Sequence, residues 1–245
     1  MVTKNQIKLI KSLHQKKYRK QYKLFIAEGI KVIRELVNSS LEVECVYCTE
    51  EIDFEALSFP KKMITTEEMK KISALITVSN CLGIFKIPEV EKPDYSDLIL
   101  ALDDIRDPGN LGTIIRLCDW FGIKNIFCTE ETVDVYNPKV VQATMGSLSR
   151  VNIVYGNLHQ MINETKNLPV YGTFMEGKNI YKQIKLPQKG IIVMGNEANG
   201  ISDSIQQLIT ERLTIPRFGD LQQTESLNVA MAASIVLSEF RRINF

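Results

Sequence analysis

Residues Ile191-Ile192-Val193-Met194-Gly195-Asn196-Glu197-Ala198-Asn199-Gly200 restrict the folds open to this chain more than any other stretch. Four consecutive apolar residues read as a strand buried on both faces, the environment of a parallel α/β sheet. The run stops at Gly195, turns polar within one residue, and is closed by Gly200. In such sheets ligands bind in the crevice beyond the carboxyl ends of the strands. A glycine at that end lets a ligand approach the main chain. An ordinary strand-to-helix turn would have the same local form. The functional reading is favoured because two other segments repeat it.

The first of these is Leu100-Ala101-Leu102-Asp103-Asp104-Ile105-Arg106-Asp107-Pro108-Gly109-Asn110-Leu111-Gly112, leading into a helix that contains Arg116. Asp107-Pro108-Gly109-Asn110 is turn chemistry, and Asn110 suits a helix N-cap. Arg116 would then lie about a turn and a half into the helix, facing whatever binds at its N-terminus. A capped helix with a surface arginine is the plainer alternative. The second is Leu213-Thr214-Ile215-Pro216, followed by a loop to Glu225-Ser226-Leu227-Asn228. Ser226 or Asn228 could simply cap the last helix.

The 245 residues, 44% hydrophobic and 24% charged, suit one large or two modest soluble domains. The pattern predicts an α/β protein with two units. In the first, a short amphipathic helix over 5–13 precedes a basic turn at 15–20. Strands follow over 24–27, 43–47, 63–64 and 82–87, with helices over 29–37 and from about 66. Residues 87–94, with two prolines and three acids and no periodicity, read as a linker. The domains expected are 1–93 and 94–245. The second has strands over 98–102, 125–128, 151–155, 170–174, 191–194 and 212–215. Its helices fall over 111–121, 138–145, 158–167, 202–209 and 226–241. The last is apolar enough to pack on the sheet or on a partner subunit.

No apolar run approaches the roughly 20 residues of a membrane span, and the first residues lack the apolar core of a signal peptide. A cytoplasmic protein is expected. Cys45-x-x-Cys48 lies in a strand-like run without a second such pair, so Cys45, Cys48, Cys81, Cys118 and Cys128 read as reduced structural thiols. His14 and His159 show no ligand spacing, and no metal is expected. The net charge is +1, yet residues 1–34 carry ten Lys/Arg against Glu28 alone. That is +9 at the front and −8 in the remainder. An imbalance so local is a footprint for a phosphate backbone, with Lys8, Lys16, Lys17 and Arg19 as candidates. Tyr18 and Tyr22 interleave with these cations and could stack on a base. No GxGxxG follows a strand, which removes the fingerprint of a nicotinamide dehydrogenase, and no GxxxxGK[ST] is present.

Three segments carry a resemblance. Asn110-Leu111-Gly112-Thr113-Ile114-Ile115-Arg116, Met194-Gly195-Asn196-Glu197-Ala198-Asn199-Gly200-Ile201, and Ile215-Pro216 with Glu225-Ser226-Leu227-Asn228-Val229-Ala230 resemble, in order, the signature motifs of the SpoU family. These are 2′-O-ribose RNA methyltransferases of the SPOUT class, related to TrmH. The lysine-rich start, through Phe25-Ile26-Ala27-Glu28-Gly29, resembles the small ribosomal-protein-like α/β RNA-binding domain that precedes the catalytic domain in many members. The loop over 217–224 is longer than in many members.

The resemblance implies S-adenosylmethionine as methyl donor, a C-terminal domain with a deep trefoil knot, and a homodimer. By motif position, main chain at Gly195, Ile215 and Leu227 cradles the cofactor, with Thr173, Met194, Asn196 and Gly200 around it. Arg116 takes the role of base or charge stabiliser, and Asn110, Glu197, Ser226 and Asn228 position substrate and loops. A guanidinium is normally protonated, so an orienting and electrostatic role suits Arg116 better. Holding the ribose hydroxyl in line with the methyl group can contribute about 7–11 kcal/mol at best. The expected substrate is RNA, ribosomal before transfer RNA. A non-catalytic RNA-binding protein that kept the fold is the alternative of a different class.

Overall fold

Thr3 opens the first helix. Its hydroxyl accepts from the Gln6 N–H while the Gln6 side chain accepts from the Thr3 N–H, a capping box. The structure, a computed structural model, describes residues 1–54, 58–165, 167–183, 185–219 and 226–242. In chain order its elements are α1 (Lys4–Ser12), α2 (Lys16–Tyr22), β1 (Leu24–Glu28), α3 (Ile30–Val37), β2 (Val43–Cys48), β3 (Lys61–Met63), α4 (Thr66–Ile72) and β4 (Cys81–Lys86). Next come β5 (Leu98–Leu102), α5 (Pro108–Trp120), β6 (Asn125–Cys128), α6 (Pro138–Thr144), β7 (Asn152–Tyr155) and α7 (Leu158–Glu164). The chain continues with β8 (Val170–Asn179), β9 (Gly190–Met194), α8 (Asp203–Gln206), β10 (Glu211–Thr214) and α9 (Val229–Arg242).

The chain divides into two units that are not consecutive halves. One comprises Met1–Glu89 with Asp134–Arg150, the other Val90–Val133 with Val151–Phe245. The stretch after β6 thus belongs with the front of the chain, which a division at 93/94 does not anticipate. In the first unit four strands lie in the order β1-β4-β2-β3, with β4 antiparallel to both neighbours. Ile10, Leu13, Ile26, Tyr47, Met69, Ile72 and Leu82 form its core.

The basic segment expected as a turn is α2. Its seven residues include no glycine, proline or β-branched side chain, so nothing opposes a helix until Lys23 enters the left-handed region at φ 54°. Folding it this way turns Arg19 inward. Arg19 is 3% exposed, its guanidinium pairs with Asp134 at 2.5 Å, and it donates to the Leu13 carbonyl at 2.8 Å. Arg19 is therefore a structural cation, and its assignment to RNA is corrected. It ties the excursion 134–150 to the first unit. Arg150 and Glu35 add an exposed pair at 2.9 Å.

The second unit is a six-stranded parallel sheet in the order β10-β8-β9-β5-β6-β7. Every residue of β5 and β9 is buried, as central parallel strands require. From β5 the chain steps through β6 to β7 at one edge, then returns to lay β8, β9 and β10 on the other side of β5. Neighbours β5 and β9 thus send their connections in opposite directions, which makes the gap between their carboxyl ends the topological switch point. The last helix starts at Val229, three residues later than expected. It buries Val229, Ala230, Ala233, Val236, Leu237 and Phe240 within this unit, partly against Tyr171. Arg241 anchors its end by donating to the Phe121 carbonyl at 2.9 Å and pairing with Asp97 at 3.3 Å.

Arg19→Ala leaves the shaded Asp134 carboxylate and the Leu13 carbonyl without their donor. Removing one partner of such a pair costs about 3 kcal/mol, the low end for buried pairs because Asp134 keeps some water. Urea unfolding should register that loss; a change below about 1 kcal/mol would contradict the structural role.

Candidate active site

The loop after β5 is held from below. Asp104 adopts φ 58°, unusual without a glycine. Its N–H donates to the Thr129 hydroxyl at 2.9 Å, and the Ile105 N–H to the Thr132 hydroxyl at 3.2 Å. Buried Asp103 spans the switch point: its N–H donates to the Met194 carbonyl at 2.9 Å, and its carboxylate accepts from the Ser202 N–H at 2.8 Å. Sequence reasoning missed Asp103, Thr129 and Thr132. Threonines after a strand carry no signal until the neighbouring loop is known to lie beside them.

Asp107, not Asn110, caps α5. Its carboxylate accepts from the Asn110 N–H at 2.7 Å, and Pro108 occupies the first helical position. The helix starts earlier than expected, so Arg116 lies more than two turns in. The earlier start also frees the Asn110 side chain. Its amide donates to the Glu197 carboxylate at 2.5 Å, and its carbonyl oxygen accepts from the Asn228 amide at 2.9 Å. Asn228 caps α9 with its own carbonyl oxygen, accepting from the N–H groups of Ala230 at 3.0 Å and Met231 at 3.3 Å. One residue from each sequence motif thus enters a single hydrogen-bonded chain, Asn228–Asn110–Glu197. Ser226 is exposed and makes no hydrogen bond to the described residues, so the structure does not bring it into this chain. Glu225 and 220–224 of the third motif's loop lie outside the described residues.

The loop after β9 folds around Asn196. Asn196 and Gly200 exchange main-chain hydrogen bonds at 2.9 and 2.8 Å. The Asn196 carbonyl oxygen accepts from the N–H groups of Ala198 at 2.8 Å and Asn199 at 3.2 Å, while its amide donates to the Asp104 main-chain carbonyl at 2.7 Å. Asn196 is buried and its polar groups turn into the protein. Its assignment as a cofactor contact is corrected to that of a residue that shapes the loop. Gly200 sits at φ 68°, so its place is conformational. Gly195 is a glycine for a reason the sequence does not display. A Cβ there would lie 2.3 Å from the Gly200 carbonyl carbon and 2.3 Å from the Ile201 nitrogen. The returning loop, rather than a ligand, claims that space.

A cofactor cradle of main-chain groups needs donors and acceptors that the fold leaves unused. Among the described residues, no hydrogen bond engages the main-chain N–H or C=O of Gly195, Ile215 or Leu227. Gly195 and Ile215 follow β9 and β10, and Thr173 lies on the strand between them, with its hydroxyl 3.7 Å from the Met194 sulfur. Between β8 and β10 the ladder passes from Gly172 to Lys178 in one step, leaving 173–177 out of register at this end of the sheet. Leu227 is half exposed at 50%. These unused main-chain donors and acceptors fit a ligand that both donates and accepts hydrogen bonds. Arg116 stands on the outward ridge of α5 with Asn110 and Thr113 and is exposed, with no ion-pair partner among the described residues. It can meet an anion.

In the first unit Lys8, Lys16 and Lys17 are exposed. No group of three or more His, Cys, Asp or Glu is placed to hold a metal among the described residues.

Residues 97–238 match the SpoU rRNA Methylase family, and residues 4–83 match the MRM3-like substrate binding domain. The 23S rRNA (guanosine(2553)-2'-O)-methyltransferase RlmP of Bacillus subtilis is 30% identical over 97% of both chains. A structure assigned to the TrmH family of RNA methyltransferases, from Porphyromonas gingivalis, superposes with a TM-score of 0.89 at 37% identity, covering 99% of each chain. An AdoMet-bound rRNA methyltransferase from Sinorhizobium meliloti superposes with a TM-score of 0.87 at 27% identity, covering 100% of this chain and 97% of that one. With its three motifs joined at the switch point of a parallel sheet, this chain belongs to the SpoU rRNA methylase family.

Proposed function

We propose that this protein transfers a methyl group from S-adenosylmethionine to a ribose 2′-hydroxyl of ribosomal RNA. The observation that carries the reading is the chain Asn228–Asn110–Glu197 beside unused main-chain groups at the strand ends. The 23S rRNA enzyme that matches along nearly its whole length favours ribosomal over transfer RNA. The matches at 4–83 and 97–238 support a substrate-binding front domain and a catalytic back domain.

When bound, the cofactor supplies an electrophilic methyl group on a sulfonium. Gly195, Ile215 and Leu227 bind it through main chain, with Thr173 and Met194 beside them. Asn110 and Asn228 orient the substrate ribose and fix the motif loops against each other. Arg116 holds the adjacent phosphate and offsets negative charge developing on the attacking oxygen. A guanidinium in water is a donor and not a proton acceptor. Glu197 is the acceptor that the network presents, since only one of its carboxylate oxygens is engaged in a hydrogen bond with the described residues.

The quaternary reading is a dimer through the back unit. Trp120 on α5 and Met231 on α9 are 84% and 59% exposed, apolar surface that a partner subunit would cover. Sedimentation equilibrium should return twice the chain mass; a monomer at assay concentration would contradict it. The trefoil knot that the family resemblance implies would lie in the last segment, where β9 sits between β8 and β5. The five buried free thiols support a reducing compartment such as the cytoplasm, and no helix among the described residues is long and apolar enough to cross a membrane.

Three variants separate the roles. Arg116→Ala should abolish methyl transfer from labelled donor to ribosomal RNA while calorimetry still reads cofactor binding; unchanged turnover would refute its role. Asn110→Ala unlinks all three motifs and should cost about 100-fold in turnover, the scale expected for misplacing reactants. Gly195→Ala forces the 200–201 loop away and should remove cofactor binding itself. Saturable uptake at the wild-type affinity would contradict the cradle.

A further inference from the structure

The function read above leaves unused a feature of the first unit. Between α1 and α2 runs an open groove of about 460 Å³, lined by Asn5, Lys8, Lys11, Gln15, Tyr18 and Tyr22 among others. The volume falls within the roughly 300–1,000 Å³ of sites that hold small ligands. Tyr18 and Tyr22 sit one helical turn apart on α2, with ring centroids 6.2 Å apart and planes inclined by only 14°. That spacing is less than twice the roughly 3.4 Å stacking repeat of bases. A base cannot slide between the rings, but it can lie on the outer face of the pair. Tyr22 is 44% exposed. The Lys17 ammonium stands 5.8 Å from the Tyr18 ring centroid, adding positive charge beside the same platform.

The electrostatics select the ligand. No Asp or Glu occurs in residues 1–27. The first acid, Glu28, is buried and occupied by the Ser73 hydroxyl at 2.5 Å and the Ala74 N–H at 2.7 Å. Lys8 and Lys11 line the groove as exposed cations. Flat aromatic surface, exposed cations on α1, and amides at Asn5 and Gln15 match the three parts of an unpaired nucleotide: base face, phosphate and base edge.

We propose that the α1–α2 groove binds one unpaired nucleotide of the substrate RNA, its base stacked on Tyr22 and Tyr18 and its phosphates on Lys8 and Lys11. The proposal rests on the RNA reading above and adds to it a place and a strandedness. Duplex RNA, whose bases are already stacked, cannot use the platform.

The test uses the full chain, with fluorescence anisotropy on a labelled single-stranded oligoadenosine, a duplex of equal length, and a ribosomal RNA transcript. Tyr22→Ala should weaken binding to the single strand roughly 5- to 100-fold, the range that loss of one base–aromatic stack gives. Tyr22→Phe should restore it, and duplex binding should not change. Lys8→Gln with Lys11→Gln should lower the slope of log affinity against log salt by about 0.7 for each lysine. Calorimetric uptake of S-adenosylmethionine, read on every variant, shows that the fold survives. If Tyr22→Ala binds the single strand as the wild type does while the transcript is still bound and methylated, the groove is wrong and the RNA reading stands. If the wild type binds none of the three RNAs, both fall.

Discussion

The site depends on one chain of hydrogen bonds. Asn110 holds Glu197 with its amide and receives Asn228 with its carbonyl oxygen, so three loops distant in sequence are tied at one point. Each link is a directional hydrogen bond between side chains. The chain forms only because Asp107 takes over the capping of α5. Had Asn110 spent its side chain on the helix N-terminus, the motifs would meet without being joined. Beneath it, Asp103, Thr129 and Thr132 fix the first loop, and Asn196 fixes the second against Asp104.

A second constraint shapes the front of the chain. A segment with ten cations and one acid in residues 1–34 would repel itself if all its charge faced the same water. The structure divides the cations by role. Arg19 goes inside, where Asp134 from the excursion neutralises it, and the lysines stay outside. The buried pair holds α2 in place, and α2 carries the tyrosines beside the remaining positive surface. Burying one charge therefore organises the surface on which the others act.

Much of this was legible beforehand where physics leaves a local mark. The strands of the parallel sheet announced themselves as unbroken apolar runs, and the order of the motifs gave the site its three parts. What stayed hidden was what only tertiary neighbours decide. Arg19 and Lys17 look alike in sequence, and one becomes core because Asp134 returns to meet it. Gly195 looked like an opening for a ligand, and it is a glycine because the chain folds back to within 2.3 Å of where a Cβ would stand. Asn110 and Asp107 are both good caps, three residues apart, and only the helix start chooses between them. The excursion 134–150 has no composition that marks it as part of the front unit. Its membership follows from two ion pairs, Arg19–Asp134 and Arg150–Glu35, and the packing of α6 on β1.

The central claim is that idle main chain at the ends of β9 and β10 and before α9 receives the sulfonium nucleoside. Amide hydrogen exchange by NMR, with and without S-adenosylmethionine, tests it most directly. Protection should rise on cofactor addition at the amides of Gly195, Ile215 and Leu227, while those of β6 and β7 stay as they were. Saturating cofactor that leaves these three amides exchanging freely, or that protects a different set, would contradict the account.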